Sequence, residues 1–487
     1  PAGGWSTTSP CGAPPAAGWR PPRDRVRAAV LSSGFDWPDG RVTVNLAPGS
    51  VRKEGSGLDL ATAVAVLVAE GELSREQTDE YAFVAELGLD GALRRVPGTL
   101  SLVEAVEGSR VVVAEDAYAE ARLGGEREVR CATKLKELVQ CLRGEAPFDL
   151  PPPAPPTAKA EVTEDLRDVR GQPFGRRALE IAAAGGHHLL MVGPPGAGKT
   201  MLARRLPGLL PPLDKEAARV VTRIYSAGDF GVPTSVLITR PPFRAPHHST
   251  TMVALVGGGS RALRPGEISA AHGGVLFLDE LGEFSPVVLD ALRQPLEDGV
   301  IRVSRAAGAV TFPAEFVLVG SMNPCPCGNA GSPGHCRCND GARVRYARRL
   351  SGPLLDRFDM RLFVQRPSAD ELFRGKPGEP SAAVRKRVLA ARRRAERRGV
   401  RYNSMLGSRL LEREAPLSPE AAALAERAVA SGQLSARGLQ RVRCVGLTIC
   451  DLEGREPPLR GADLALALQL RTNPVSLDHS YAGSHVA

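Results

Sequence analysis

Long apolar runs are missing from this chain. The longest, Ala61 to Ala69 and Gly274 to Leu278, fall well short of the roughly 20 residues that a membrane-spanning helix needs. A soluble protein without a membrane partner is expected. No basic segment followed by an apolar stretch and a small-residue cleavage site opens the sequence, which makes the cytoplasm the expected location. Aromatic residues are scarce, at 5%, so signals for stacking on bases are weak. Nine cysteines among 487 residues are too few for a disulfide scaffold, and four of them crowd between Cys325 and Cys338. What is present is ordinary globular material, 43% hydrophobic and 24% charged, which excludes global disorder. A chain this long exceeds what one core organises, so two or three domains are expected. The net charge of +9 is compatible with a polyanionic partner.

Residues 1–21, rich in Gly, Pro and Ser, show neither helical nor strand period and are expected to be irregular. Residues 22–146 carry helix-like segments at Arg25 to Ser33 and Leu58 to Glu70. Strand-like segments at Arg41 to Leu46, Tyr81 to Leu87 and Ser109 to Ala114 complete a mixed α/β domain. Residues 147–163, dominated by the prolines of Leu150 to Thr157, read as a semi-rigid linker. From 164 to 366 apolar strand-like runs alternate with helical stretches, the pattern of a parallel sheet covered by helices. Residues 367–472 are helical in pattern and rich in Arg and Ala, and 473–487 form a loose tail.

The chemistry lies in the segment from 164 to 366. Gly193-Pro194-Pro195-Gly196-Ala197-Gly198-Lys199-Thr200 follows the apolar run Leu189 to Val192 and precedes the helix-like Met201 to Leu206. That is the strand, loop, helix context of a P-loop. Its glycines let backbone N–H groups close around phosphate oxygens, Lys199 offsets β/γ charge, and the Thr200 hydroxyl can ligate Mg²⁺. A second motif, Gly274-Val-Leu-Phe-Leu-Asp-Glu280, is an apolar strand ending in two carboxylates. Asp279 can hold the Mg²⁺ shell while Glu280 orients or deprotonates the attacking water, so ATP and Mg²⁺ are the expected ligands.

Further segments carry a resemblance: Asp168-Val-Arg-Gly-Gln172, His187-His188, Phe243-Arg-Ala-Pro-His-His248 and Met322-Asn-Pro-Cys-Pro-Cys-Gly328. Over about Pro22 to Arg471 the chain resembles the ComM/YifB family of magnesium-chelatase-like AAA+ ATPases. The resemblance implies an α/β fold in which an AAA+ P-loop core with a helical lid follows a Lon-protease-like α/β domain. It also implies a homo-hexamer. Asn323 resembles sensor 1, which positions the lytic water beside Glu280. Arg357 is similar to an arginine finger reaching the γ-phosphate of a neighbouring subunit. Arg437 resembles sensor 2, and Val169 and Gln172 fall in the segment that packs against adenine. The Lon-like domain lacks the Ser–Lys dyad: the comparable turn, Lys53 to Gly57, puts Gly57 at the nucleophile, and no lysine occurs from Val96 to Glu104. Without a base Ser56 is inert, and no protease activity is expected.

Cys325, Cys327, Cys336 and Cys338 form two Cys-Xaa-Cys pairs, which fit a closed structural Zn²⁺ site, with free thiols as the alternative. His247 and His248 are expected to point apart and serve a loop. Gly299 to Arg305 and Gly308 to Phe312 read as a hairpin that resembles the pore hairpin of helicase-like rings. Arg302 and Arg305 would there track a DNA backbone. The cationic run from Arg385 to Arg398 reads as a solvated helix face. The expected function is a hexameric ATP-driven DNA motor, a helicase that promotes branch migration of recombination intermediates, as in natural transformation. The alternatives are a chelatase-type motor and an ATP-dependent protein remodeller.

Overall fold

The computed structural model describes residues 21–45, 55–148 and 164–471, apart from 229, 233, 260–262, 306–307 and 331–335. The expected irregular N-terminus, the proline-rich linker and the tail therefore lie outside the described residues, except for positions 21, 147 and 148.

The N-terminal unit is a three-stranded parallel sheet, β1 (Tyr81–Val84), β2 (Arg110–Ala114) and β3 (Glu128–Ala132), in that order. Three successive valines, Val111 to Val113, make β2 the central strand, and all three are wholly buried, as a run without alternation requires. Helices α1 (Pro21–Ser32), α2 (Asp59–Ala69), α3 (Thr99–Ala105) and α4 (Leu135–Leu142) surround it. Val30, Leu67, Val112 and Leu138 share its core. The strand expected at Arg41 to Leu46 is not formed among the described residues: residues 41–45 carry no regular secondary structure and pair with no described strand, and Leu46 lies outside the described residues. Alternation marks a face that could pair, but a strand also needs a neighbour for its N–H and C=O groups.

The central unit is a five-stranded all-parallel sheet in the order β10-β4-β9-β6-β5, built from β4 (Leu189–Val192), β5 (Phe243–Arg244), β6 (Val275–Leu278), β9 (Val317–Met322) and β10 (Met360–Phe363). Strands β4, β6 and β9 are buried along their whole length. An antiparallel hairpin, β7 (Val300–Arg305) with β8 (Gly308–Pro313), projects before β9. Helices α5 (Pro173–Gly185), α6 (Lys199–Arg205) and α7 (Lys215–Ala227) belong to this unit. From residue 369 to 469 the described elements are helices, including α8 (Ser381–Arg397), α9 (Pro419–Ala430), α10 (Ala436–Leu452) and α11 (Gly461–Gln469). Val388, Val442 and Leu464 join Leu179 and Leu189 in one continuous core.

Helix α8 departs from the expected solvated face. Arg385 donates to Gly208 O (2.7 Å), Arg392 to Ala183 O (2.6 and 2.9 Å), and Arg387 pairs with Glu180 (2.6 Å) and Glu379. These arginines dock the helical segment onto the sheet unit, while Lys386, Arg393 and Arg397 remain exposed. The two α/β units also meet. The Glu120 carboxylate, 3% exposed, accepts from Arg95 (2.7 Å), the Thr234 hydroxyl (2.7 Å), the Leu100 N–H (3.1 Å) and the Ser226 hydroxyl. No helix among the described residues is long and apolar enough to cross a membrane.

Candidate nucleotide site

Strands β4, β6 and β9 lie side by side and parallel, so their C-terminal ends open onto one edge of the sheet. Such an edge is where ligands of open α/β sheets bind. The turn after β4 carries Gly196 and Gly198 at φ of 75° and 90°, left-handed values that a side chain resists, and Gly198 leads directly into α6. The chain thereby brings Pro195 to Met201, Asp279, Glu280 and Ser321 to Asn323 around one cavity of about 420 Å³.

Lys199, 9% exposed, donates to Gly193 O (2.6 Å), Pro194 O (3.1 Å) and Asn323 Oδ1 (3.3 Å). Burial lowers its pKa, and the Asp279 carboxylate partly opposes that shift. An incoming polyphosphate would favour the charged amine. The Thr200 hydroxyl donates to Asp279 Oδ2 (2.8 Å), so the two expected Mg²⁺ ligands face each other across hydrogen-bond distance. Ser321 Oγ, buried on the cavity wall, has no hydrogen-bond partner among the described residues. This combination of a cation, paired oxygen ligands and an unpaired polar atom fits a Mg²⁺–nucleotide.

Glu280 is exposed and sits at φ 52°, a conformation uncommon outside glycine and often found at functional positions. Its Oε2 lies 3.3 Å from His248 Nδ1. The rings of His247 and His248 stand 4.0 Å apart rather than diverging, because the chain turns after β5 and His247 is held by Ser249 (2.8 Å). The contact with Glu280 was not predicted. The adjacent position of β5 and β6 creates it, and no spacing rule reports that adjacency.

Gln172, the left-handed residue ahead of α5, donates through Nε2 to Ala197 O of the P-loop (3.3 Å). Val169 is wholly buried in the core and does not line the phosphate cavity. Arg357 and Arg437 are elsewhere. They line a second cleft, of about 710 Å³, together with Arg392, Arg393, Arg401 and Arg441. Arg357 precedes β10, whose first residue pairs with Leu189 at the start of β4, whereas the P-loop follows the end of β4. The four residues of β4 span roughly 10 Å. Arg357 is buried, pairs with Glu297, and leaves Nε without a partner among the described residues. Arg437, the second residue of α10, is exposed.

The four cysteines form a distinct cluster whose Sγ atoms all lie within 4.8 Å of one another, a group that could hold a metal ion. On hairpin β7–β8, Ile301 and Val303 are buried while Arg302 is exposed between them. The Arg305 side chain lies outside the described residues. In the N-terminal unit the Ser56 hydroxyl donates to the Glu86 carboxylate. A Cβ on Gly57 would meet Val96 and Leu102 at 3.4 and 3.5 Å.

Comparison with known proteins agrees with this architecture. Residues 165–372 match the family described as magnesium chelatase, subunit ChlI, residues 13–116 match subunit ChlI of Mg-chelatase, and residues 378–471 match its C-terminal family. The chain is 44% identical over 434 residues to the uncharacterized protein YifB of Escherichia coli (strain K12), covering 88% of this chain and 85% of that one. It is 42% identical over 445 residues to the competence protein ComM of Haemophilus influenzae, covering 89% and 86%. A partial similarity, 28% over 189 residues and 34% of this chain, connects it with Lon protease 2 of Bacillus subtilis.

Proposed function

The chain belongs to the magnesium-chelatase-like AAA+ family that includes YifB and ComM, and on that premise we propose that it is an ATP-hydrolysing ring motor acting on DNA. The observation that carries the ring is the separation of its catalytic groups. Lys199, Thr200, Asp279, Glu280 and Asn323 surround one cavity, while Arg357 and Arg437 line a cleft at the other end of the sheet. A finger that cannot reach its own site is useful only to a neighbour's, and closing such head-to-tail contacts gives a ring, here a homo-hexamer.

In this reading the P-loop N–H groups and Lys199 hold the β- and γ-phosphates, and Thr200 and Asp279 would ligate Mg²⁺. Bound there, Mg²⁺ would neutralise charge on the phosphate oxygens. Glu280, oriented by His248, accepts the proton of the water whose oxygen attacks the γ-phosphorus as the bond to the β–γ bridging oxygen breaks. Asn323 positions that water. Arg357 and Arg437 of the adjacent subunit offset the charge that develops. The helices beyond 367 act as the lid, and the N-terminal unit is a Lon-like domain without proteolytic function, consistent with a Ser56 whose partner is a carboxylate. The four cysteines would hold a structural Zn²⁺.

DNA as substrate rests on the exposed Arg302 of the hairpin, on the net charge of +9 and on the similarity to a competence protein. Motion along DNA would serve branch migration in recombination. The test is ATPase activity with and without DNA, followed by branch migration of a synthetic four-way junction. Stimulation by DNA together with ATP-dependent migration supports the reading. An ATPase indifferent to DNA would favour a chelatase-type motor or a protein remodeller.

A further inference from the structure

Asn323 leaves the end of β9 two residues before Cys325, the buried member of the thiol cluster. Cys325 Sγ lies 3.4 Å from Cys327 Sγ and 3.8 Å from Cys336 Sγ, and the last two are 3.6 Å apart. These separations exceed the roughly 2.05 Å of a disulfide. They match the roughly 3.8 Å between sulfurs bound at about 2.3 Å around one tetrahedral zinc. With all four sulfurs inside 4.8 Å, there is room for a single ion. Two N–H groups already point at sulfur: Ala330 N donates to Cys325 (3.2 Å) and Arg343 Nη2 to Cys336 (3.3 Å). Donors of this kind stabilise metal-bound thiolates.

The cluster is physically joined to the nucleotide site. Arg343 and Tyr346 lie three apart on the helix Asp340–Ala347, hence on one face. Arg343 donates to the Cys336 thiol, and Tyr346 is buried on the same helix. Gly328, within the same loop, turns at φ 79° with its Cα so close to Pro195 that a Cβ would come to 2.6 Å of that ring. Asn323 Oδ1 in turn accepts from Lys199.

We propose that Cys325, Cys327, Cys336 and Cys338 bind one zinc ion whose role is to fix the loop that aims Asn323, so that zinc occupancy sets the rate of ATP hydrolysis while leaving ATP affinity nearly unchanged. Affinity is preserved because the phosphate-holding groups stand on β4 and α6, which have their own support in the core. The proposal rests on the reading of Asn323 as the residue that positions the lytic water.

The experiment measures metal content, nucleotide affinity and turnover on the full chain. Elemental analysis should find about one zinc per chain. Cys336→Ser/Cys338→Ser should lose the zinc, lower kcat at least about tenfold and change the Kd for ATP by no more than about threefold. Removing zinc from the folded wild type with a chelator should do the same, and adding Zn²⁺ back should restore turnover. This arm decides the matter if the double variant does not fold. Asn323→Ala should keep its zinc and lose turnover, and combining it with the cysteine changes should add little. Protein that binds no metal, or iron instead, overturns the proposal. So does zinc whose removal leaves kcat intact, or weakens ATP binding as much as it slows turnover. A zinc-loaded Asn323→Ala chain turning over at the wild-type rate would instead defeat the reading of Asn323.

Discussion

Glu280 combines a left-handed backbone, an exposed carboxylate and a contact to His248, and each feature has a consequence that can be measured. Glu280→Gln keeps the shape and the phosphate cradle but removes the base. ATP should still bind while hydrolysis falls by about 10²- to 10⁴-fold; binding and turnover assays on one preparation check both halves. His248 touches Glu280 and none of the phosphate-holding residues. His248→Ala should therefore lower kcat with KM for ATP unchanged, by roughly ten- to a hundredfold if the contact is worth that of a hydrogen bond to a charged group. His248→Asn, which retains a donor, should recover part of the loss. His188 predicts a pH dependence of stability. Burial pushes its pKa down to about 4, and its Nδ1 already accepts the Leu318 N–H (3.0 Å), which protonation there would forfeit. Unfolded histidine titrates near 6.5. The unfolded chain thus takes up its proton first as pH falls, so this contribution is whole above about 6.5 and disappears on the way down to about 4. The loss should be about 3 kcal/mol, followed by denaturation midpoints across that range, and His188→Asn should flatten it. Burial works against ionisation of Asp359, yet His187, whose Nδ1 lies 3.6 Å from Oδ2, and the charge of Arg441 hold its carboxylate well below the usual range. Its contribution is lost only at still lower pH.

At the level of elements, what was legible in the sequence depended on how local the determining contacts are. The P-loop, the apolar strand before Asp279 and the hairpin could be read because strand, turn and helix signals lie next to each other in the chain. The role of α8 could not. Its arginines are paired with Glu180, Ala183 and Gly208, some two hundred residues away, and composition alone resembles a solvated face. The docking of the two α/β units through Glu120 was hidden for the same reason, since Ser226 and Thr234 are more than a hundred residues distant. Hairpin β7–β8 carries its own prediction. Ile301 and Val303 anchor one face, so Arg302 on the other can be replaced without loss of packing. Arg302→Ala should weaken DNA binding equally for all sequences. It should reduce the salt slope of log K by roughly 0.7 to 0.9 for each phosphate contact made. ATPase activity without DNA should stay near wild type. Unchanged affinity and slope would remove the hairpin as the gripping element.

For the whole molecule, the arrangement that matters most is the distance between the two halves of the proposed catalytic machinery. The cleft that holds Arg357 and Arg437 draws residues from Gly186 to Cys444, so no linear motif describes it, although each arginine could be singled out from its own segment. The central claim is that these halves meet only between subunits. Mixing two inactive chains tests this directly. Lys199→Ala destroys its own phosphate cradle but keeps its arginines, while Arg357→Ala keeps the cradle and lacks the finger, a loss of about 10³- to 10⁵-fold in turnover where such a finger acts. Each alone should be inactive. With mixed assemblies verified by native mass spectrometry, the account predicts that ATPase activity returns as the two are combined, because intact cradles then face intact fingers. Mixed assemblies that stay as inactive as either chain alone would contradict it.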